Sequence, residues 1–124
     1  MHATVKPDDV PHELFNAIDS MDAERFAAFL AADAGFRFGS APMVTGRQAV
    51  IEAVQAFFAS IAGLSHTIHN TWQEGTSLVC EGDVRYRRHD GSEIDIPFVD
   101  VFEYEGDLIS QYKIYIDIGP LYAA

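Results

Sequence analysis

The chain is poor in cysteine and in basic residues. Its single cysteine, Cys80, excludes an intrachain disulfide, and nothing else indicates an oxidising compartment. Eight Lys and Arg against 19 Asp and Glu give a formal net charge of −11. Such a charge repels phosphate backbones and anionic lipid surfaces, so we expect neither nucleic acid nor a membrane as a partner.

Long hydrophobic runs and ligand-binding motifs are missing as well. No apolar run approaches the roughly 18 residues of a membrane-spanning helix, and the opening MHATVKPDDV lacks the apolar segment of a signal peptide. We therefore expect a cytoplasmic protein. Because the sequence has no glycine-rich phosphate loop and no spaced Cys/His/carboxylate cluster, we expect no cofactor and no metal site.

The chain is instead rich in apolar residues. They make up 48% of the 124 residues, and nine Phe, five Tyr and one Trp can build a core and line a cavity. The length predicts a single domain over residues 1–124, with an ordered core at about 10–121.

The first half of the chain predicts three helices. Apolar residues recur at helical spacing after Pro11, and Ser20 or Asp22 can cap a second helix that runs to Leu30. Residues 33–46 break this period and predict a short strand, a turn and a second extended piece. A third helix follows, with a wide apolar stripe over residues 50–61 and Gly63 as its C-cap.

After residue 63 the apolar period changes to two, which is typical of strands. Four long segments are separated by Gly75, by Asp-Gly at 90–91 and by Glu-Gly-Asp at 105–107. Short turns of this kind join antiparallel strands. We therefore predict an α+β fold in which three N-terminal helices pack on one face of an antiparallel meander.

Two stretches, FAAFLAADAGFRFGSAPMVTGRQAVIEAVQAFF and DVFEYEGDLISQYKIYIDI, resemble the SnoaL-like group of the nuclear-transport-factor-2-like superfamily. The resemblance covers about residues 10–121. It implies a cone in which a curved sheet wraps around the helices and encloses a deep apolar pocket, with an outer sheet face that commonly forms a homodimer. The group is similar to ketosteroid isomerases, limonene-epoxide hydrolases, polyketide cyclases and dehydratases, and also to many non-enzymes, so the fold alone does not give the function.

Two aspartates are candidate catalytic residues. Asp117 matches the last-strand acid of the polyketide cyclases, and its apolar neighbours could raise its pKa to a useful value. The alternative is a solvated strand end. Asp100, in FVDVF, is flanked by apolar residues, which is unusual for a carboxyl unless it is paired or protonated. It matches the protonated, oxyanion-binding acid of ketosteroid isomerases; the alternative is a structural Asp bonded to backbone or to a hydroxyl.

Whether these two acids share a cavity depends on the turn at 105–107. A two-residue loop places Lys113, Tyr115 and Asp117 on the face of Asp100, whereas a three-residue loop places them on the other face. We expect the short loop.

The same arithmetic across the turn at 90–91 places Asp83, Arg85 and Arg87 with Asp100. Family resemblance instead favours Tyr86 on the inner face, and the sequence leaves this register open.

Two specific reactions are disfavoured by missing residues. The position of the ketosteroid isomerase base falls near Phe38, which cannot take a proton, and the first helix offers no clear oxyanion tyrosine. The Arg-x-Asp of the epoxide hydrolases falls on Gly82 and Val84, which leaves that water-activating set incomplete.

The histidines predict no metal site. His66 and His69 are three apart on an expected strand and so point to opposite faces. His66, which shares a face with Trp72 in a regular strand, is a candidate proton shuttle or an ordinary strand histidine.

The resulting hypothesis is a cofactor-free acid/base enzyme acting on a small apolar carbonyl compound by isomerisation, cyclisation or dehydration. Asp117 would move the proton and Asp100 would hold the substrate oxygen, with Tyr115 and His66 assisting. The alternative is a non-catalytic module that binds a small ligand or a protein. The residues expected to form the pocket wall are Trp72, Tyr86, Phe98, Phe38 and Phe57.

Overall fold

The computed structural model describes residues 11–123, which form a curved six-stranded sheet and four helices. The elements are α1 (His12–Asp19), α2 (Ala23–Ala27), β1 (Leu30–Phe38), β2 (Val44–Thr45), α3 (Arg47–Ala59), β3 (Gly63–Glu74), β4 (Ser77–Arg87), β5 (Glu93–Glu105), β6 (Leu108–Ile116) and α4 (Gly119–Tyr122). The strand order is β2-β1-β6-β5-β4-β3. The predicted α+β class and the antiparallel meander of β3 to β6 are confirmed.

Three details differ from the prediction. The sheet is mixed rather than purely antiparallel, because β1 pairs in parallel with β6. Leu30 begins β1 instead of closing α2. Helix α3 ends at Ala59 with Ser60 as its C-cap, so Gly63 starts the next strand and does not cap the helix.

A side-chain cap stabilises α2, and a buried apolar face stabilises α3. The Asp22 side chain accepts a hydrogen bond from the Arg25 N–H at 3.0 Å, which caps α2. On α3, Val50, Val54 and Phe58 recur every four residues and are buried against the sheet. Among residues 11–123 no helix is both long and apolar enough to cross a membrane.

The pairing of β3 with β4 is interrupted by a bulge between Ile68 and Asn70. There the β3 backbone approaches Gly82 so closely that a Cβ at this position would lie 1.9 Å from the Thr67 carbonyl oxygen. Only glycine permits this approach. Because a bulge increases local bend and twist, this pair of features curves the sheet around the helices.

A second bulge, in β6, shifts the register of the last hairpin by one residue and so changes the face on which the β6 side chains lie. The turn is short as expected, since Glu105 pairs with Leu108. However, Tyr104 pairs with Ile109 and Glu103 with Gln111, so β6 holds one extra residue there.

As a result, Asp100 pairs with Ile114. The inner face of β6 carries the even-numbered residues Tyr112, Ile114 and Ile116, and the prediction that Lys113, Tyr115 and Asp117 share the face of Asp100 is wrong.

The register between β4 and β5 places Tyr86 inward, as the family resemblance favoured. The turn here has three residues between Arg88 and Ser92, and Cys80 pairs with Asp100. Tyr86 is consequently buried on the inner face, whereas Asp83 and Arg85 lie on the outer face. The placement of Asp83 and Arg85 beside Asp100, as loop counting implied, is therefore wrong.

Candidate functional site

An apolar cavity of about 220 Å³ lies between the inner face of the sheet and the helices. Four of the five residues expected in the pocket wall line it: Phe38, Phe57, Tyr86 and Phe98. Phe38 packs on Phe57 with ring centres 4.7 Å apart. His66 and Tyr112 also line the cavity, whose wall is otherwise largely hydrophobic.

The prediction that Trp72 also forms part of the pocket wall is wrong. Its side chain lies on the outer face and is 55% exposed. The bulge after Ile68 inserts one residue, so the alternation that puts His66 and Ile68 inward puts Trp72 outward.

His66 is held by a carboxylate at the end of α1. Its ring Nδ1 lies 2.5 Å from Asp19 Oδ1, and its backbone N–H donates to Asp19 Oδ2 at 3.0 Å. Because an ionised carboxylate only accepts hydrogen bonds, Nδ1 carries the hydrogen in the neutral ring and Nε2 keeps the free lone pair. Asp19 therefore fixes both the position and the tautomer of this histidine.

The environment of the His66 ring is apolar. Phe15 and Phe98 pack against it, each with ring centres 5.1 Å away, and the side chain is only 10% exposed. Within residues 11–123, Nε2 has no hydrogen-bond partner. A histidine whose basic nitrogen is unengaged at the wall of a cavity can accept a proton from a bound molecule.

Asp19 was missed by the sequence reasoning, although one signal was available. A negative charge at a helix C-terminus is electrostatically unfavourable because the last carbonyls carry partial negative charge. Asp19 is the last residue of α1. An acid at such a position, following a buried apolar run, indicates a partner elsewhere in the fold.

Asp100 is buried behind the cavity wall rather than in it. It is 1% exposed and does not line the cavity. The Tyr112 hydroxyl donates to its Oδ2 at 3.0 Å, and its Oδ1 has no partner among the described residues. Desolvation raises the pKa of Asp100 well above its ordinary value, against the opposing effect of the Tyr112 hydrogen bond. Among residues 11–123, its one hydrogen-bond link to the cavity wall is the Tyr112 hydroxyl.

Asp117 and Tyr115 do not reach the cavity. Tyr115 is 51% exposed on the outer face. Asp117 is exposed beyond the end of β6, where its Oδ1 accepts a hydrogen bond from the Gly119 N–H at 2.9 Å. The expectation that these side chains enter one pocket with Asp100 is wrong, because the bulge in β6 turns them away.

The second strand histidine, His69, lies on the outer face of the sheet. His69 is exposed and bonded to Asp83 at 2.8 Å, so the two strand histidines face apart as predicted. Gly82 and Val84, at the positions of the epoxide hydrolase charges, lie inward without a charge. Across residues 11–123, no group of three or more His, Cys, Asp or Glu side chains could hold a metal ion.

Solved structures with the same fold cover most of the chain. An NTF2-like protein of unknown function from Burkholderia pseudomallei is 19% identical, with a TM-score of 0.80 over 89% of both chains. A protein assigned as a SnoaL-like polyketide cyclase from Jannaschia is 16% identical, with a TM-score of 0.81 over 96% of this chain and 94% of that one.

An epoxide hydrolase of the LEH-like type from M. tuberculosis is 17% identical, with a TM-score of 0.73 over 86% of this chain and 79% of that chain. At these identities the likeness establishes the fold alone. No curated protein matches the sequence. The model of the SnoaL-like domain matches residues 12–112, and the chain therefore belongs to the SnoaL-like domain family.

Proposed function

We propose that the protein is an acid/base enzyme that moves a proton on a small apolar carbonyl compound, with His66 as the proton-carrying group. The observation that carries this proposal is the His66 ring itself. One nitrogen is held by Asp19, while the other is unbonded at the wall of an apolar cavity. This arrangement replaces the role first assigned to Asp117.

The chemistry follows from the geometry. Nε2 of His66 removes a proton from the carbon beside the carbonyl, and the Asp19 carboxylate stabilises the imidazolium that forms. Return of the proton to a different carbon isomerises the compound. Its transfer to a leaving hydroxyl releases water. In a ring closure, the carbanion attacks a second carbonyl and the proton passes from His66 to the new alkoxide oxygen.

Asp100 acts one layer further out in this proposal. Its carboxyl accepts a hydrogen bond from the Tyr112 hydroxyl and so fixes a ring that forms part of the cavity wall. Asp100 is thus a positioning residue rather than a group that touches the substrate.

The test is hydrogen–deuterium exchange at the carbon beside the carbonyl of simple cyclic ketones, followed by NMR in D₂O. A general base typically contributes about 10²- to 10⁴-fold, so we expect a loss of that order in His66→Ala. His66→Gln is the alternative variant if the alanine variant unfolds. His69→Ala is the matched control, because this exposed histidine on the same strand is bonded to Asp83 on the outer face. An equal effect of the two alanine substitutions would refute the role of His66. Binding without exchange would support the non-catalytic module instead.

A homodimer through the outer sheet face is part of the same proposal. One row across the strands there consists of Arg37, Lys113, Val101, Val79 and Trp72. Basic residues lie at the β1–β6 end of this row, and the carboxylates of Glu81 and Asp83 lie on β4. A twofold axis would bring the basic end of one copy against the acidic strand of the other. Light scattering should give a dimeric mass that Trp72→Glu reduces to a monomeric one; a monomeric wild type would contradict this.

A further inference from the structure

The Tyr86 hydroxyl is a second polar group left unengaged at the cavity. Tyr86 is 2% exposed and lines the cavity from β4. Its hydroxyl makes no hydrogen bond to any residue from 11 to 123. Within that range the only fully enclosed side-chain polar atom without a partner is Asp100 Oδ1. The unpaired Tyr86 oxygen is therefore not sealed in the core.

Tyr86 and His66 lie on neighbouring strands at a spacing suited to one small molecule. His66 pairs with Val84, so Tyr86 is its diagonal neighbour on the same inner face. Diagonal neighbours of this kind have Cα atoms about 7–8 Å apart. Phe57 packs edge-on against the Tyr86 ring at 5.8 Å and holds it in place. The residues that carry the base and the hydroxyl donor thus line the same cavity.

The Tyr86 hydroxyl is protonated and can therefore act as a hydrogen-bond donor. Burial raises its pKa, and the nearby Asp100, Tyr122 and Asp19 raise it further. The phenol therefore keeps its proton at neutral pH and can donate a hydrogen bond to a substrate oxygen, including one that gains negative charge.

The size of the cavity limits the substrate. Its volume is about 220 Å³. An apolar cavity of roughly 150 Å³ is enough for benzene, and pockets for drug-sized ligands start at roughly 300 Å³. The cavity therefore suits one ring with substituents or two small fused rings, and a four-ring compound would extend into solvent.

The charge of the substrate is limited as well. No Lys, Arg, Asp or Glu is among the residues that line the cavity. An ionised group placed there would lose its hydration without gaining a partner. The net charge of −11 further disfavours anions.

We propose that the substrate is an uncharged one- or two-ring ketone, or a related carbonyl compound, whose oxygen accepts a hydrogen bond from Tyr86. This inference rests on the proposed proton transfer by His66, and it adds the substrate class and the group that binds the reacting oxygen.

Calorimetric titration with three probes tests the proposal. The probes are α-tetralone, a two-ring ketone; tetralin, the same rings without the oxygen; and androstenedione, a four-ring steroid ketone. Tyr86→Phe keeps the packed ring and removes only the hydroxyl. We expect it to weaken α-tetralone binding about 5-fold, the effect of one ordinary hydrogen bond, and to leave tetralin binding unchanged. Androstenedione should bind at least about tenfold more weakly than α-tetralone, since much of it stays outside the cavity.

Three results would overturn the proposal. They are the absence of α-tetralone binding to the wild type, equal effects of Tyr86→Phe on the ketone and on the hydrocarbon, and steroid binding as tight as that of α-tetralone. These binding measurements do not depend on turnover. If His66→Ala leaves exchange unchanged while Tyr86→Phe weakens only the ketone, the proposed catalysis fails and the oxygen-binding role of Tyr86 stands.

Discussion

Replacement of Asp100 by Asn should change how the stability of the protein depends on pH. In the folded protein the carboxyl is buried and its pKa is raised well above the ordinary value by desolvation. Asn has nearly the same shape as the protonated acid, and its side-chain oxygen can still accept the Tyr112 hydroxyl. The substitution therefore removes the titration and keeps the packing.

The sign and size of the effect follow from proton linkage. In the unfolded chain the carboxyl ionises near pH ~3.9, whereas in the folded chain it stays protonated to higher pH. Between these two pKa values the folded state binds one more proton, so the free energy of unfolding falls by about 1.4 kcal/mol for each unit that the pH rises. Asp100→Asn lacks this decline. Relative to the wild type, the variant should gain about 1.4 kcal/mol per pH unit, from pH 5 upward until the folded carboxyl itself ionises.

Urea denaturation of both proteins at a series of pH values from 5 to 8 measures this slope. A constant offset between the two curves reflects the changed hydrogen bonding of the amide and does not bear on the argument. Asp107→Asn is the matched control, since it removes one exposed carboxylate from the β5–β6 turn. Parallel stability curves for wild type and Asp100→Asn would show that Asp100 is ionised in the folded protein and would refute the reasoning.

Three further results are expected. Gly82→Ala should lower the free energy of unfolding by about 3 kcal/mol, because its Cβ would meet a β3 backbone carbonyl at 1.9 Å. The control is Gly35→Ala, whose Cβ meets only a flexible methionine side chain and which should lower the free energy of unfolding far less in the same urea titration. Equal losses in the two variants would contradict the role of the close approach. Burial raises the pKa of the Cys80 thiol to about 12, so a thiol reagent should modify Cys80 only after unfolding; rapid labelling of the native protein would argue against this burial. Asp117→Asn should leave ketone exchange at the wild-type rate, since its side chain is exposed and away from the cavity, and a large loss would restore the role first expected for this residue.

The fold was predictable because several signals agreed. The helical spacing of the first half, the period of two after residue 63 and the glycines in the turns all indicate helices on an antiparallel meander. The apolar neighbours of Asp100, together with its match to the ketosteroid isomerase acid, single it out in the sequence, and its burial and hydroxyl partner fit the unusual environment expected there.

The site was less predictable because its residues meet through long-range geometry. Asp19 and His66 are 47 positions apart and belong to different kinds of element. The side of the sheet on which Trp72, Tyr115 and Asp117 lie depends on bulges in β3 and β6. The composition of those strands does not predict these bulges. The local sequence pattern determines which helices and strands form, whereas a single inserted residue determines which side chains a strand directs toward the cavity.

The bulge in β6 has a consequence for how this fold can change over time. A deletion of one residue at Ser110 would turn Lys113, Tyr115 and Asp117 toward the cavity and would remove Tyr112 and Ile114 from its wall. The exchange would need no substitution in any of these side chains. Insertions and deletions in the strands, and not only point mutations, can therefore change which side chains the sheet presents to the cavity.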